Sequence, residues 1–129
     1  MESGKRISDM KDSILQKKSL SFAVRIVKFY RYLCKEKREF VLSKQILRSG
    51  TAIGANARES RNAQSPADFI TKLTIALKEA DETQYWLELL DLSEIITHEE
   101  YLSLNDDLSE LVAMLTSSIK TIKNKSTKE

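Results

Sequence analysis

Apolar positions recur along this chain in steps of four and three, a spacing that gathers them on one face of a helix. The first segment is expected from about Ser13 to Cys34, with Phe22, Ile26, Phe29 and Leu33 as its stripe. A second, from about Phe40 to Ser60, places Leu42, Ile46, Ser49, Ile53 and Ala57 on one side, most of them modest in size. The third is the most regular. Phe69, Leu73, Ala76, Ala80, Thr83, Leu87 and Leu90 alternate four and three without a break, a seam suited to knobs-into-holes packing between nearly antiparallel helices. The fourth, from about His98 to Lys123, aligns Leu104, Leu108, Leu111, Leu115, Ile119 and Ile122. Connections around Glu36 to Glu39, Arg61 to Gln64 and Ile95 to Ile96 are short enough to force successive helices to be antiparallel neighbours. The predicted fold is all-α, an antiparallel up-down-up-down four-helix bundle. It is expected to occupy residues 1–129 as a single domain, with an ordered core of about 12–124 and frayed tails before about Lys11 and after about Asn124.

Boundary chemistry supports these segments. Ser65 is a natural N-cap, Pro66 follows at the first helical position where its missing N–H costs nothing, and Asp68 sits near the positive end of the dipole. Thr97 and Glu100 have the spacing of a capping box. Gly50 and Gly54 lie one turn apart inside the second segment. Each costs about 1 kcal/mol relative to Ala there. With Ala57 they leave a strip without bulk, for which close helix packing is preferred over approach by a ligand or nucleic-acid backbone.

Composition narrows the class. The chain is 41% hydrophobic and 31% charged, with three Gly and one Pro, too few punctuating residues for a many-turned β-fold. No apolar stretch approaches the roughly 20 residues of a membrane span, and the polar start lacks the core of a signal peptide, so a cytoplasmic protein is expected. Cys34 is alone, which excludes an internal disulfide and suggests a buried structural thiol. Charge is uneven. Residues 1–61 hold 15 Lys/Arg against 6 Asp/Glu, a net +9, whereas residues 62–119 hold 2 against 12, a net −10.

Catalytic apparatus is not expected. A di-metal carboxylate bundle needs inward Glu-x-x-His pairs, but His98 is the sole histidine and has Ile95 three residues before it. Glu79, Asp81 and Glu82 point around their helix rather than at one site. Nucleophile triads would need that same His98, and there is no glycine-rich phosphate loop, so neither metal nor cofactor is anticipated. The basic half offers more. Lys18, Arg25, Lys28 and Lys35 lie roughly opposite Phe22, Ile26 and Phe29, with Tyr32 between, and the second helix adds Lys44, Arg48 and Arg58. A cationic face with an interleaved aromatic is what phosphate contact and base stacking require, making Lys18, Arg25, Lys28, Tyr32, Lys44, Arg48 and Arg58 the candidate nucleic-acid-binding residues. Simple solvation, or contact with the acidic helices of a neighbouring copy, is the competing use. A helix-turn-helix around Gly50 is disfavoured because Thr51 to Ala57 continues one helical stripe.

The stretch LSKQILRSGTAIGANARES, followed by DFITKLTIALKEADETQYWLELL, resembles the bacterial four-helix-bundle family encoded in intervening sequences of large-subunit ribosomal RNA genes and long described as ribosomal. The resemblance runs from about Phe22 to Leu115. It rests on Gln45, Arg48, Ser49, Ile53, Asn56 and Glu59, and on Phe69, Leu73, Ala76, Glu79, Glu82, Thr83, Tyr85 and Leu87. The family commonly continues from the Asn into an apolar residue and then Glu-Gly, whereas this chain has NARES. The resemblance implies a non-catalytic bundle assembled into a ring of five, similar to the accessory variability protein of diversity-generating retroelements, which binds nucleic acid and a reverse transcriptase. A ring-forming RNA- or DNA-binding adaptor is therefore expected, with an oligomeric protein-interaction scaffold as the alternative. Asn56, Glu59, Glu79 and Thr83 stand near the apolar stripes, where a buried polar network fixing helix register is preferred over ligand contact.

Overall fold

The computed structural model describes residues 7–128, with side chains from 14 to 125. Four helices account for these residues: α1 (Ile7–Lys35), α2 (Leu42–Ser60), α3 (Pro66–Leu92) and α4 (His98–Lys128). Within the described range, helix continues past Lys11 and Asn124, where irregular tails were expected. Extending an existing helix costs far less than nucleating one, so polar residues can prolong a packed segment without burial of their own. The remaining tail residues, 1–6 and 129, lie outside the described residues.

Cross-helix pairs establish the directions. Gln16 donates to the Ala57 carbonyl at 2.7 Å, and Gly54 and Gly50 approach Ser19 and Ile26 in turn, so α2 descends beside an ascending α1. Lys18 meets Glu110 and Arg25 meets Asp107, which makes α4 antiparallel to α1 as well. Each helix packs on its neighbours in sequence, and α1 closes the square against α4 less extensively than the other pairs meet.

The core contains the expected stripes. Phe22, Ile26, Phe29 and Leu33 are buried, joined by Leu15; Ile46, Ile53 and Ala57 face them from α2. Leu73, Ala76, Ala80, Leu87 and Leu90 of α3 and Leu104, Leu108, Leu111, Leu115 and Ile119 of α4 complete it. Phe69 and Ile122 are half-buried at one end. Both glycines face α1. A Cβ on Gly50 would stand 2.9 Å from Ile26 Cγ1 and Cγ2, and one on Gly54 would stand 3.2 Å from the Ser19 carbonyl oxygen. The side-chain-free strip therefore serves close helix packing.

Both N-terminal signals form as written. The Ser65 hydroxyl accepts from Asp68 N–H at 3.1 Å while Asp68 accepts from Gln64 N–H at 3.2 Å. At α4, Thr97 N–H donates to Glu100 at 2.8 Å and Glu100 N–H to the Thr97 hydroxyl at 3.1 Å. Glu39 does a similar service for α2, accepting from Val41 N–H at 3.1 Å and Ser43 N–H at 2.7 Å.

Candidate nucleic-acid interface

Three of the candidate cations are bound to carboxylates of their own chain. Lys18 Nζ lies 2.9 Å from Glu110, whose hydrogen bond and charge raise the lysine further above its ordinary pKa. Arg25 Nη1 lies 2.6 Å from Asp107 and donates to the Ser103 carbonyl at 3.0 Å. Arg48 bridges α2 to α3, pairing with Glu79 at 3.2 Å and more closely with Glu82; the Glu79 bond leads in holding its guanidinium protonated. The opposed charges of the two halves of the chain are thus partly matched inside one molecule. Lys28, Lys44 and Arg58 are exposed, and among the described residues none of them enters an ion pair.

Tyr32 is engaged from several sides. Its ring stacks on Phe29 with centroids 6.3 Å apart, and Lys37 Nζ sits 5.7 Å from its centroid. Hydrogen bonding with the Glu100 carboxylate of α4, together with partial burial, pushes its phenol pKa up. Burial alone would raise Glu100, but the Thr97 backbone N–H, the Tyr32 hydroxyl and the Thr97 hydroxyl outweigh it and hold the carboxyl below its usual range.

The residues placed in a polar network separate. Thr83 is fully buried, and its hydroxyl shares a 2.9 Å hydrogen bond with the buried Ser49 hydroxyl and lies 2.8 Å from the Glu79 carbonyl oxygen. Glu79 turns its carboxylate to Arg48. Asn56 donates to the Ala52 carbonyl of its own helix at 2.8 Å, and Glu59 is exposed. The structure brings Thr83 to Ser49 and does not bring Asn56 or Glu59 to either. Cys34 is half-buried rather than sealed in the core, with its sulfur 3.7 Å from the Ser43 hydroxyl.

A second set of cations, partly missed in the sequence, stands on the outward side of α1. At about 100° per residue, Lys17, Lys28, Arg31 and Lys35 fall within about 60° of one another, opposite the buried stripe. All four are exposed, and among the described residues none has a carboxylate partner. No acidic residue occurs from Ile14 to Lys35. That acid-free run was visible in the sequence and would have singled out the ridge.

Among the described residues no group of three His, Cys, Asp or Glu side chains could hold a metal ion, and no helix is long and apolar enough to cross a membrane. His98 pairs with Asp91 at 2.9 Å and stacks on Tyr101, beside the α4 N-terminus.

Comparison with curated proteins finds no match. A solved structure of a protein with unknown function from the S23 ribosomal protein family, from Bacteroides thetaiotaomicron VPI-5482, is 62% identical in sequence. The match covers 85% of this chain and 98% of that one, with a TM-score of 0.84. Residues 11–117 match the family described as 23S rRNA-intervening sequence protein, and the chain therefore belongs to that family.

Proposed function

We propose that this protein is a non-catalytic nucleic-acid-binding adaptor that grips phosphates with the outward ridge of α1. The observation that carries the reading is the set Lys17, Lys28, Arg31 and Lys35, four exposed cations on the acid-free stretch of α1 from Ile14 to Lys35, none with a carboxylate partner among the described residues. Cations committed to carboxylates would have to break an ion pair before meeting a phosphate; these would not. Each phosphate they neutralise releases counterions, so binding should weaken steeply with salt. Fluorescence anisotropy with labelled RNA across a salt series tests this. The triple variant Lys28→Gln, Arg31→Gln, Lys35→Gln should flatten the log–log slope by about 2. Arg48→Gln should leave the slope unchanged. Absence of wild-type binding at low salt would remove the proposal.

One observation favours the scaffold reading as a companion. Tyr85, Leu89 and Leu92 repeat the four-three spacing on the side of α3 turned away from the core, and Tyr85 and Leu92 are 56% and 82% exposed. A stripe of this kind fits self-association, and a closed ring of five copies is the proposed assembly.

A further inference from the structure

We infer that the α1 ridge takes a double-stranded nucleic acid, held by its two phosphate rows, in preference to a single strand; this rests on the nucleic-acid reading above. The inference begins from the spacing of the charges. At 1.5 Å per residue, Lys17 and Lys28 are about 16 Å apart along α1, and Lys28 to Lys35 spans a further 10 Å or so. The ridge thus carries one cation near its start and three near its end. Between the two groups the outward positions are neutral, held by Ser21 and Val24. A helical ridge with positive charge at two stations and a neutral outward middle matches a groove crossing, in which each station meets one wall of phosphates. The major groove of B-form DNA, about 12 Å wide, admits a helix in this way. Duplex RNA is likewise met by shape and backbone contacts across its wide minor groove.

A single strand has different needs. It is flexible, and proteins that bind it without sequence preference typically supply aromatic rings for successive bases to stack on. The ridge offers none. Tyr32 is half-buried, stacked on Phe29, and has Lys37 against its ring. The Phe29 ring is buried. The two exposed aromatic rings elsewhere are poorly placed: Phe40 already carries the Arg38 guanidinium 5.6 Å from its centroid, and Tyr85 lies on α3, which packs on α2 and α4 but not on α1.

The test uses the full chain and three labelled probes of one sequence of about 20 nucleotides: an RNA duplex, a DNA duplex, and the RNA single strand. Both duplexes, or one of them, should bind at least about 5-fold more tightly than the single strand at equal salt. Comparing the two duplexes separates a preference for A-form geometry from backbone recognition of either form. Lys17→Gln, which removes one station, should weaken duplex binding several-fold and change single-strand binding little. A single strand bound as tightly as both duplexes, or Lys17→Gln weakening all probes equally, overturns the inference while leaving nucleic-acid binding intact. Failure of every probe to bind overturns both.

Discussion

A methyl group added at Gly50 would put a Cβ 2.9 Å from two carbons at the branched, inflexible end of Ile26, a residue with no exposure at all. Neither side can yield cheaply. Gly50→Ala is expected to lower stability by about 1–3 kcal/mol, overriding the roughly 1 kcal/mol of helix propensity that alanine brings. Urea unfolding at fixed subunit concentration measures it, and a variant as stable as wild type would mean that the helices part more easily than this contact implies. The Ser49–Thr83 pair makes a different point. Thr83→Val strands a buried Ser49 hydroxyl and should cost about 1–3 kcal/mol, whereas adding Ser49→Ala to it removes the stranded group and should recover part of the loss. A double-mutant cycle with purely additive costs would show that the two hydroxyls act independently. Ser49 and Thr83 were both legible as stripe positions. Their pairing was not, because periodicity gives the face of a helix and says nothing of which facing position it meets.

At the scale of the element, the helix ends combine expected and unexpected chemistry. The Thr97–Glu100 box forms as its spacing predicted, but the third partner, Tyr32, comes from α1 and leaves no local trace in the sequence. Because the folded Glu100 carboxyl ionises at lower pH than an ordinary one, its contribution is fully present above the ordinary value of 4.5 and is lost as pH falls through the lower folded value. Glu100→Gln, which can still accept from Thr97 N–H, should be less stable than wild type at neutral pH, with the gap closing in acid. A gap that stays constant from pH 7 to 3 in thermal melts would refute this. The end of α3 was not anticipated. Ile95 N–H donates to the Leu90 carbonyl at 3.0 Å and Glu94 N–H to the Asp91 carbonyl at 3.0 Å, a Schellman closure with Glu94 at φ 59° where glycine is usual. A non-glycine residue in the left-handed region costs about 1–2 kcal/mol. Glu94→Gly should therefore stabilise the protein by up to about 1 kcal/mol, and a lower melting temperature would count against it. Apolar spacing and N-cap chemistry were readable because they are local. This cap was not, because its residue type hides its conformation.

For the whole molecule, the split of charge between the two halves of the sequence is partly met within the chain. Lys18, Arg25 and Arg48 meet Glu110, Asp107, Glu79 and Glu82 across neighbouring helices. What remains outward on α1 is the ridge, so the sequence showed that cations were plentiful but not which ones were free. Assembly is the other molecular-scale expectation. Light scattering should report an oligomer for the wild type, and Tyr85→Glu with Leu92→Glu should reduce it to smaller species while helix content stays unchanged. An unaltered mass would place the contact elsewhere. The seam between α1 and α4 has one more consequence. It is the least extensive of the four junctions, and along it Lys18–Glu110 and Arg25–Asp107 are exposed pairs of the kind that contribute little and weaken with salt. Opening fluctuations should therefore start there, with backbone amides in the middle of α1 and α4 exchanging with deuterium sooner than those of α2 and α3, and with raised ionic strength widening the difference. The helix that carries the cationic ridge would then also be the wall through which the bundle breathes.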